Sequence, residues 1–333
     1  MTVTRDSIPT ESPAWIAVDW GSSHLRAWAM AEDGRVLARG RSACGMLSLT
    51  PARYETALLE VVDRWLPPRG SIEVLVCGMA GARQGWREAA YLGVPTSLEA
   101  LYTGAVSPGV SDPRLRVHLL PGLCQHRDAG AGDFDVMRGE ETQLAGLVAM
   151  APGFTGPACL PGTHAKWARL EQGVLASFHT FLTGELYQLL AERSVLAHSL
   201  GSDDPLDPGC RDAFAAAVRE SAAAPERFTS RLFGIRASDL LDDTLPVGRS
   251  RGALLSARLS GLVIGMELAG TRHARRPDEA VTLIGTGSLC RRYALALEAL
   301  GIHSRIVDGE AATLAGLDRA RRHLTPSSQE SPE

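Results

Sequence analysis

The stretch Val18-Asp19-Trp20-Gly21-Ser22-Ser23 decides how this chain is read, because Leu160-Pro161-Gly162-Thr163 repeats its design in the middle. After the first come Trp28-Ala29, Asp33-Gly34 and Val36-Leu37-Ala38; after the second come Trp167-Ala168, Gln172-Gly173 and Val174-Leu175-Ala176. Trp28 and Gly34 are spaced as Trp167 and Gly173 are. Each copy predicts an apolar strand, a Gly-Ser/Thr turn, a second strand, a glycine turn and a third strand. Two such meanders predict two similar lobes, each offering a loop of small residues. Glycine lets backbone approach a ligand closely, and the N–H and hydroxyl groups of such a turn suit oxyanions. Paired loops of this kind can grip the phosphates of one nucleotide from both sides.

A chain of 333 residues favours two domains, each large enough for its own core. With 45% hydrophobic and 22% charged residues, the composition is that of an ordinary globular protein. The net charge of −4 argues against nucleic acid or an anionic membrane as partner. No apolar run is read as a membrane span, residues 1–13 lack the apolar core of a signal peptide, and a cytoplasmic location is expected. The six cysteines are scattered without a Cys-x-x-Cys pair, which favours reduced core thiols over disulfides or a metal site.

Residues 1–13 and 323–333 read as loose termini. Chain breakers crowd Pro152-Gly153-Phe154-Thr155-Gly156-Pro157, which predicts a boundary between an N-terminal lobe at 14–153 and a C-terminal lobe at 154–322. Pro51 to Leu66 predicts a helix capped by Thr50. Ile72 to Cys77 and Arg116 to Leu120 predict strands, and Thr142 to Met150 a helix. In the second lobe helices are expected over Glu185–Leu200, Asp212–Ala224 and Leu254–Leu268. Gly261 and Gly265 give the last of these a flat strip for close packing. Strands alternating with helices make the class α/β.

Asp19 stands between an apolar strand and a Gly-Ser-Ser turn, where a carboxylate can hold Mg²⁺ while Gly21, Ser22 and Ser23 reach phosphate oxygens. An ordinary hairpin with an acidic turn residue is the plainer alternative. Gly285-Thr286-Gly287-Ser288 joins a strand to a helix and lets a ligand approach the helix start. Arg138-Gly139-Glu140-Glu141 opens a helix; its carboxylates are either partners of the helix dipole or a general base. In Gly78-Met79-Ala80-Gly81-Ala82-Arg83-Gln84-Gly85-Trp86, Arg83 could fork onto a substrate carboxylate. Thr163-His164-Ala165-Lys166-Trp167 adds a lysine that could touch phosphate or an acidic substrate, beside a histidine as readily structural.

Together these blocks resemble the sugar kinase, heat-shock ATPase and actin superfamily. More narrowly, Ala17 to Ser23 with Arg26, Gly78 to Trp86, Arg138 to Gln143, Leu160 to Trp167 and Ile284 to Ser288 are similar to the 2-dehydro-3-deoxygalactonokinase family, in family order over nearly the whole chain. The resemblance implies a ribonuclease H-like fold of two α/β lobes with a cleft between them. It implies ATP- and Mg²⁺-dependent phosphorylation of the terminal (C6) hydroxyl of 2-dehydro-3-deoxy-D-galactonate. Asp19 would hold Mg²⁺, and Gly21, Ser22, Ser23, Gly162 and Thr163 the phosphates. Gly285 and Gly287 would lie against adenosine, and Arg26 would reach the transferring phosphate. Glu140, or else Glu141, would be the base, with Asp135 as the rival from another loop. Arg83 is the first choice for the sugar-acid carboxylate, with Trp86 in the same loop and Arg138 and Lys166 as rivals. Where the wider superfamily places an acid before the second Gly-Thr, this chain has Leu160-Pro161. A phosphohydrolase of the exopolyphosphatase type, a kinase of the gluco epimer and an actin-like assembly protein stay open, as does a homodimer.

Overall fold

The computed structural model describes residues 3–5, 9, 11–127, 134–202, 207–272, 276 and 278–324. The chain forms two compact units. The first comprises Met1–Phe154, Glu171–Ser177 and Gly309–Glu333, and the second Thr155–Leu170 and Phe178–Asp308. The division thus falls at the Pro/Gly cluster, but the last helix returns to the first unit.

In chain order the first unit holds β1 (Val3–Arg5), β2 (Trp15–Trp20), β3 (Leu25–Met30), β4 (Val36–Ser42), α1 (Tyr54–Val62), β5 (Ile72–Gly78), β6 (Tyr91–Gly93), β7 (Thr96–Ser97), β8 (Leu115–Leu119), β9 (Gly122–Gln125), β10 (Asp135–Met137) and α2 (Glu140–Met150). Its main sheet runs β1-β4-β3-β2-β5-β8. The meander β2–β3–β4 is antiparallel, while β5 and β8 join in parallel. A smaller sheet runs β10-β9-β6. Then follow β11 (Gly156–Leu160), β12 (Ala165–Glu171), β13 (Val174–Phe181), α3 (Thr183–Arg193), α4 (Pro208–Ala223), α5 (Phe228–Leu241), α6 (Arg249–Gly270), β14 (Val281–Gly285), α7 (Gly287–Ala299) and β15 (Ser304–Asp308), and finally α8 (Gly309–Leu324). The second sheet contains the order β15-β14-β11-β12-β13, with β11, β14 and β15 parallel. A three-strand meander followed by two parallel strands is therefore built twice, as the duplicated sequence predicts.

Period-two alternation sets both faces of β2. Ile16, Val18 and Trp20 face the cluster with Tyr54, Leu58 and Val61 of α1. Trp15 and Ala17 face the cluster with Leu317 and Ala320 of α8. Asp19 shares that second face at the strand's end. In the second unit Cys159, Trp167 and Leu283 pack on Phe214, Leu268 and Tyr293. Gly261 and Gly265 do form a close-packing strip: a Cβ there would lie 2.4 Å from the Phe214 carbonyl oxygen and 2.6 Å from that of Val218, both on α4.

Several expectations need correction. Residues 3–5 pair with β4 as an edge strand, so the N-terminal stretch is not wholly loose. The expected helix at Pro51 begins as a 3-10 turn, Pro51–Arg53, and Thr50 makes no side-chain cap. The α-helix starts only at Tyr54, since the Arg53 N–H already closes a tight turn on the Thr50 carbonyl at 2.9 Å. The helix expected from Glu185 ends at Arg193 and gives way to a 3-10 turn, Val195–His198. The Arg249–Gly270 helix is 22 residues long and apolar enough, by length and composition, to cross a membrane. Its apolar residues are spent on packing, with Leu255, Leu259, Leu262 and Val263 buried among Leu196, Phe228 and Ile235. Residues 128–133, 203–206 and 325–333 lie outside the described residues, including most of the C-terminal stretch 323–333.

Candidate active site

β2 and β3 place Asp19 and Arg26 as direct register partners, joined by an ion pair. Asp19 is mostly covered, with 16% of its side chain exposed, while Arg26 is half open. On the other side Asp19 is in register with Cys77 of β5. The turn between the strands is held from behind. Gly21 and Ser22 offer their carbonyls to the N–H groups of Met46 and Leu47 at 3.1 and 3.0 Å. Gly45 makes this approach feasible, because a Cβ there would lie 2.3 Å from the Ser22 carbonyl oxygen. The turn carbonyls are thereby occupied, and the front of the loop opens on a pocket of about 400 Å³ lined by Asp19, Gly21, Ser22, Ser23, His24 and Arg26.

Two glycines bring the paired glutamates to this place. Gly78 ends β5 at φ +91°, and a Cβ there would sit 2.7 Å from the Trp20 carbonyl oxygen and 3.4 Å from an Asp19 carboxylate oxygen. Gly139 precedes α2 at φ +109°, and its Cβ would lie 3.5 Å from the Gly78 Cα. The head of α2 therefore passes directly over the strand end that adjoins Asp19.

The two glutamates differ. Glu141 is fully buried; its Oε2 accepts the Gly139 N–H at 2.6 Å and its Oε1 the Thr142 hydroxyl at 3.2 Å. Burial, then the charge of Glu140, pushes its carboxyl up to about 7. Burial also raises the Cys77 thiol well above its usual range, helped by the charges of Asp19 and Glu141. Glu140 is only partly buried, and its Oε2 accepts the Arg138 N–H at 3.1 Å. Asp135 lies on β10, where it accepts the Val136 N–H at 2.7 Å.

Arg138 reaches back under the glycine-rich loop. Its Nη2 donates to the Ala89 carbonyl at 2.8 Å, and its guanidinium lies 4.4 Å from the centre of the Tyr91 ring. The Arg83 side chain is exposed. Trp86 instead stacks on Tyr54 at 5.8 Å and meets Trp20 edge-on at 6.0 Å, so it anchors the loop to the core.

In the second unit Gly162 and Thr163 turn between β11 and β12, and the start of α3 packs on them. A Cβ at Gly184 would lie 2.5 Å from the Gly162 carbonyl oxygen, and the Glu185 N–H donates to the Thr163 carbonyl at 3.0 Å. His164 Nε2 meets Glu185 at 2.6 Å. Lys166 is buried, and its Nζ donates to the Thr180 hydroxyl at 2.7 Å. Gly285 ends β14 at φ +155°, and α7 begins at Gly287.

Glu267 of α6 ties these loops together, and sequence reading missed it. Its buried carboxylate accepts the Trp167 indole N–H at 2.6 Å and the Tyr293 hydroxyl at 2.7 Å. Burial raises its carboxyl, opposed by hydrogen bonds from Thr183, Trp167 and Tyr293. One carboxylate thus links β12 after the Gly162 turn, the start of α3 and the helix that follows Gly285. The available signal was a lone acid in the apolar run Leu259 to Leu268.

A family model for 2-keto-3-deoxy-galactonokinase matches residues 19–320. The chain is 39% identical to a probable 2-dehydro-3-deoxygalactonokinase of Rhizobium meliloti (strain 1021), over 95% of this chain and 99% of the relative. It is 35% identical to the 2-dehydro-3-deoxygalactonokinase of Escherichia coli (strain K12), over 91% and 96%. The fold matches a crystal structure from Sinorhizobium meliloti assigned to the same enzyme, with a TM-score of 0.82 and 38% identity over 94% of this chain and 99% of that one. With the family model and both relatives spanning nearly its whole length, the chain belongs to the 2-keto-3-deoxy-galactonokinase family.

Proposed function

We propose that the protein is an ATP-dependent kinase of 2-dehydro-3-deoxy-D-galactonate that phosphorylates the terminal, C6 hydroxyl. The observation that carries this reading is the grouping of Asp19, the Gly21–Ser23 turn, Arg26 and the Glu140 helix start in a chain of this family. Ser22 and Ser23 offer hydroxyls and turn N–H groups to phosphate oxygens, and the Gly162–Thr163 turn of the second unit has the same chemistry. Adenosine lies against the backbone of Gly285 and Gly287, which carry no side chain to hold it off.

A single carboxylate in an open pocket suits Mg²⁺, which takes one or two carboxylates and completes its shell with water and phosphate oxygens. When bound through Asp19, the ion neutralises charge on the phosphates. Arg26 supplies a second positive charge beside Asp19 for the transferring phosphoryl group.

Glu140 takes the proton from the sugar hydroxyl. Glu141 is enclosed and bonded to Gly139, so it holds the helix start in place instead. Arg83 is the open guanidinium of the sugar-acid loop and receives the substrate carboxylate. Trp86 and Arg138 shape that loop from within, and Lys166 supports the second phosphate loop through Thr180. Phosphorus NMR of the product tests the regiochemistry: coupling to the C6 methylene protons is expected, and phosphate at any other position would overturn it.

A further inference from the structure

Strands β3 and β4 set three guanidinium groups on one face of the first unit. Arg26 and Arg41 are direct cross-strand partners, and Arg39 stands opposite Trp28. Alternation along the strands keeps all four residues on the same side. Like charges directly opposite one another destabilise a strand pair unless something neutralises them. Arg26 pairs with Asp19, and Arg39 pairs with Glu310 of α8 at 3.0 Å. Arg41 is exposed and has no hydrogen-bond or ion-pair partner among the described residues. Three cations thus share two carboxylates.

Between them lies a pocket of about 330 Å³, lined by Arg26, Trp28, Arg39, Arg41 and Glu310 along with Ala27 and Gly40. The Arg26 guanidinium carbon is 6.0 Å from the centre of the Trp28 ring. The pocket therefore joins a cationic rim to an aromatic wall. It is separate from the Gly21–Ser23 turn, and only Arg26 lines both.

We propose that this pocket binds a small molecule through an oxyanion, carboxylate or phosphate, held by Arg41 together with Arg26. The planar fork of arginine matches either group with two parallel hydrogen bonds. The carboxylate would come from a second molecule of the sugar acid, apart from the one received at Arg83, and that source rests on the kinase reading above. A phosphate would come from a nucleotide or a phosphorylated product, and the pocket as an anion site does not depend on that reading.

Isothermal titration of the full chain, without nucleotide, tests this with two probes: inorganic phosphate and 2-dehydro-3-deoxy-D-galactonate. Wild type, Arg41→Gln and Arg69→Gln are compared, the last removing an exposed arginine outside the pocket. Wild type binds at least one probe, Arg41→Gln weakens that binding about tenfold or more, and Arg69→Gln leaves it unchanged. A loss confined to the sugar acid identifies the carboxylate as the ligand, and a loss for phosphate identifies the phosphate. Phosphate binding that needs Arg41, with no binding of the sugar acid, upholds the pocket while removing the substrate assignment. Binding of both probes within twofold of wild type in Arg41→Gln, or of neither by wild type, overturns the proposal.

Discussion

Asp19 and Arg26 face each other as register partners across β2 and β3, and their ion pair stands at the mouth of the Gly21–Ser23 turn. Each charge is thereby held in place before any ligand arrives. Asp19→Asn keeps the shape, removes the charge proposed to hold the metal and leaves Arg26 without its partner. Turnover should fall at least about 10²-fold, as when one preorganised electrostatic group is removed. Far-ultraviolet circular dichroism should stay at wild type, and turnover within threefold of wild type would contradict the role.

Glu140 and Glu141 are neighbours with different surroundings, the first partly buried and the second fully buried. Glu140→Gln should lower turnover roughly 10²- to 10⁴-fold with little change in either KM. Glu141→Gln keeps an acceptor for the Gly139 N–H and should lose much less. Steady-state kinetics of the two variants separates base from support, and the reverse ranking would exchange their roles.

The buried Glu141 carboxyl gives stability a pH dependence of definite sign. Its folded value is about 7 against an ordinary 4.5, so the fold holds a proton that the unfolded chain releases. This contribution is complete below 4.5 and is lost as pH rises through about 7. The stability of Glu141→Gln relative to wild type should therefore increase between pH 4.5 and pH 8. The gain is on the order of 3 kcal/mol. Urea unfolding at both pH values measures it, and a constant difference between the two proteins would contradict it.

Helices α2 and α8 cross through two glycines. A Cβ on Gly146 would lie 1.8 Å from the Ala312 carbonyl oxygen, and one on Gly316 2.0 Å from that of Thr142. Gly146→Ala must push the backbones apart and should cost about 1–3 kcal/mol or more, despite alanine's better helix propensity. Thermal unfolding checks the direction, and an unchanged or raised midpoint would show that the crossing can relax.

Much of this was legible in the sequence because it is local and periodic. The two meanders show in the alternation of Ile16, Val18 and Trp20 and in the repeated Trp-to-Gly spacing. The Gly261/Gly265 strip showed because its two members lie one turn apart on one helix. The Gly146–Gly316 crossing joins residues from distant parts of the chain, and no local period marks it. The same holds for Gly45 behind the Gly21–Ser23 turn and for Glu267, whose partners Trp167 and Tyr293 come from separate elements. Trp86 reads as a substrate contact by its place in a glycine-rich loop, but its ring is claimed by Tyr54 and Trp20.

The most direct test of the kinase assignment is ADP release by the purified protein with ATP and Mg²⁺, followed by a coupled assay. Wild type is compared on 2-dehydro-3-deoxy-D-galactonate, its gluco epimer, D-galactonate and no sugar acid. The account predicts turnover that requires the 2-dehydro-3-deoxy-galacto acid. ATP turnover indifferent to every sugar acid, or none with any of them, would contradict it.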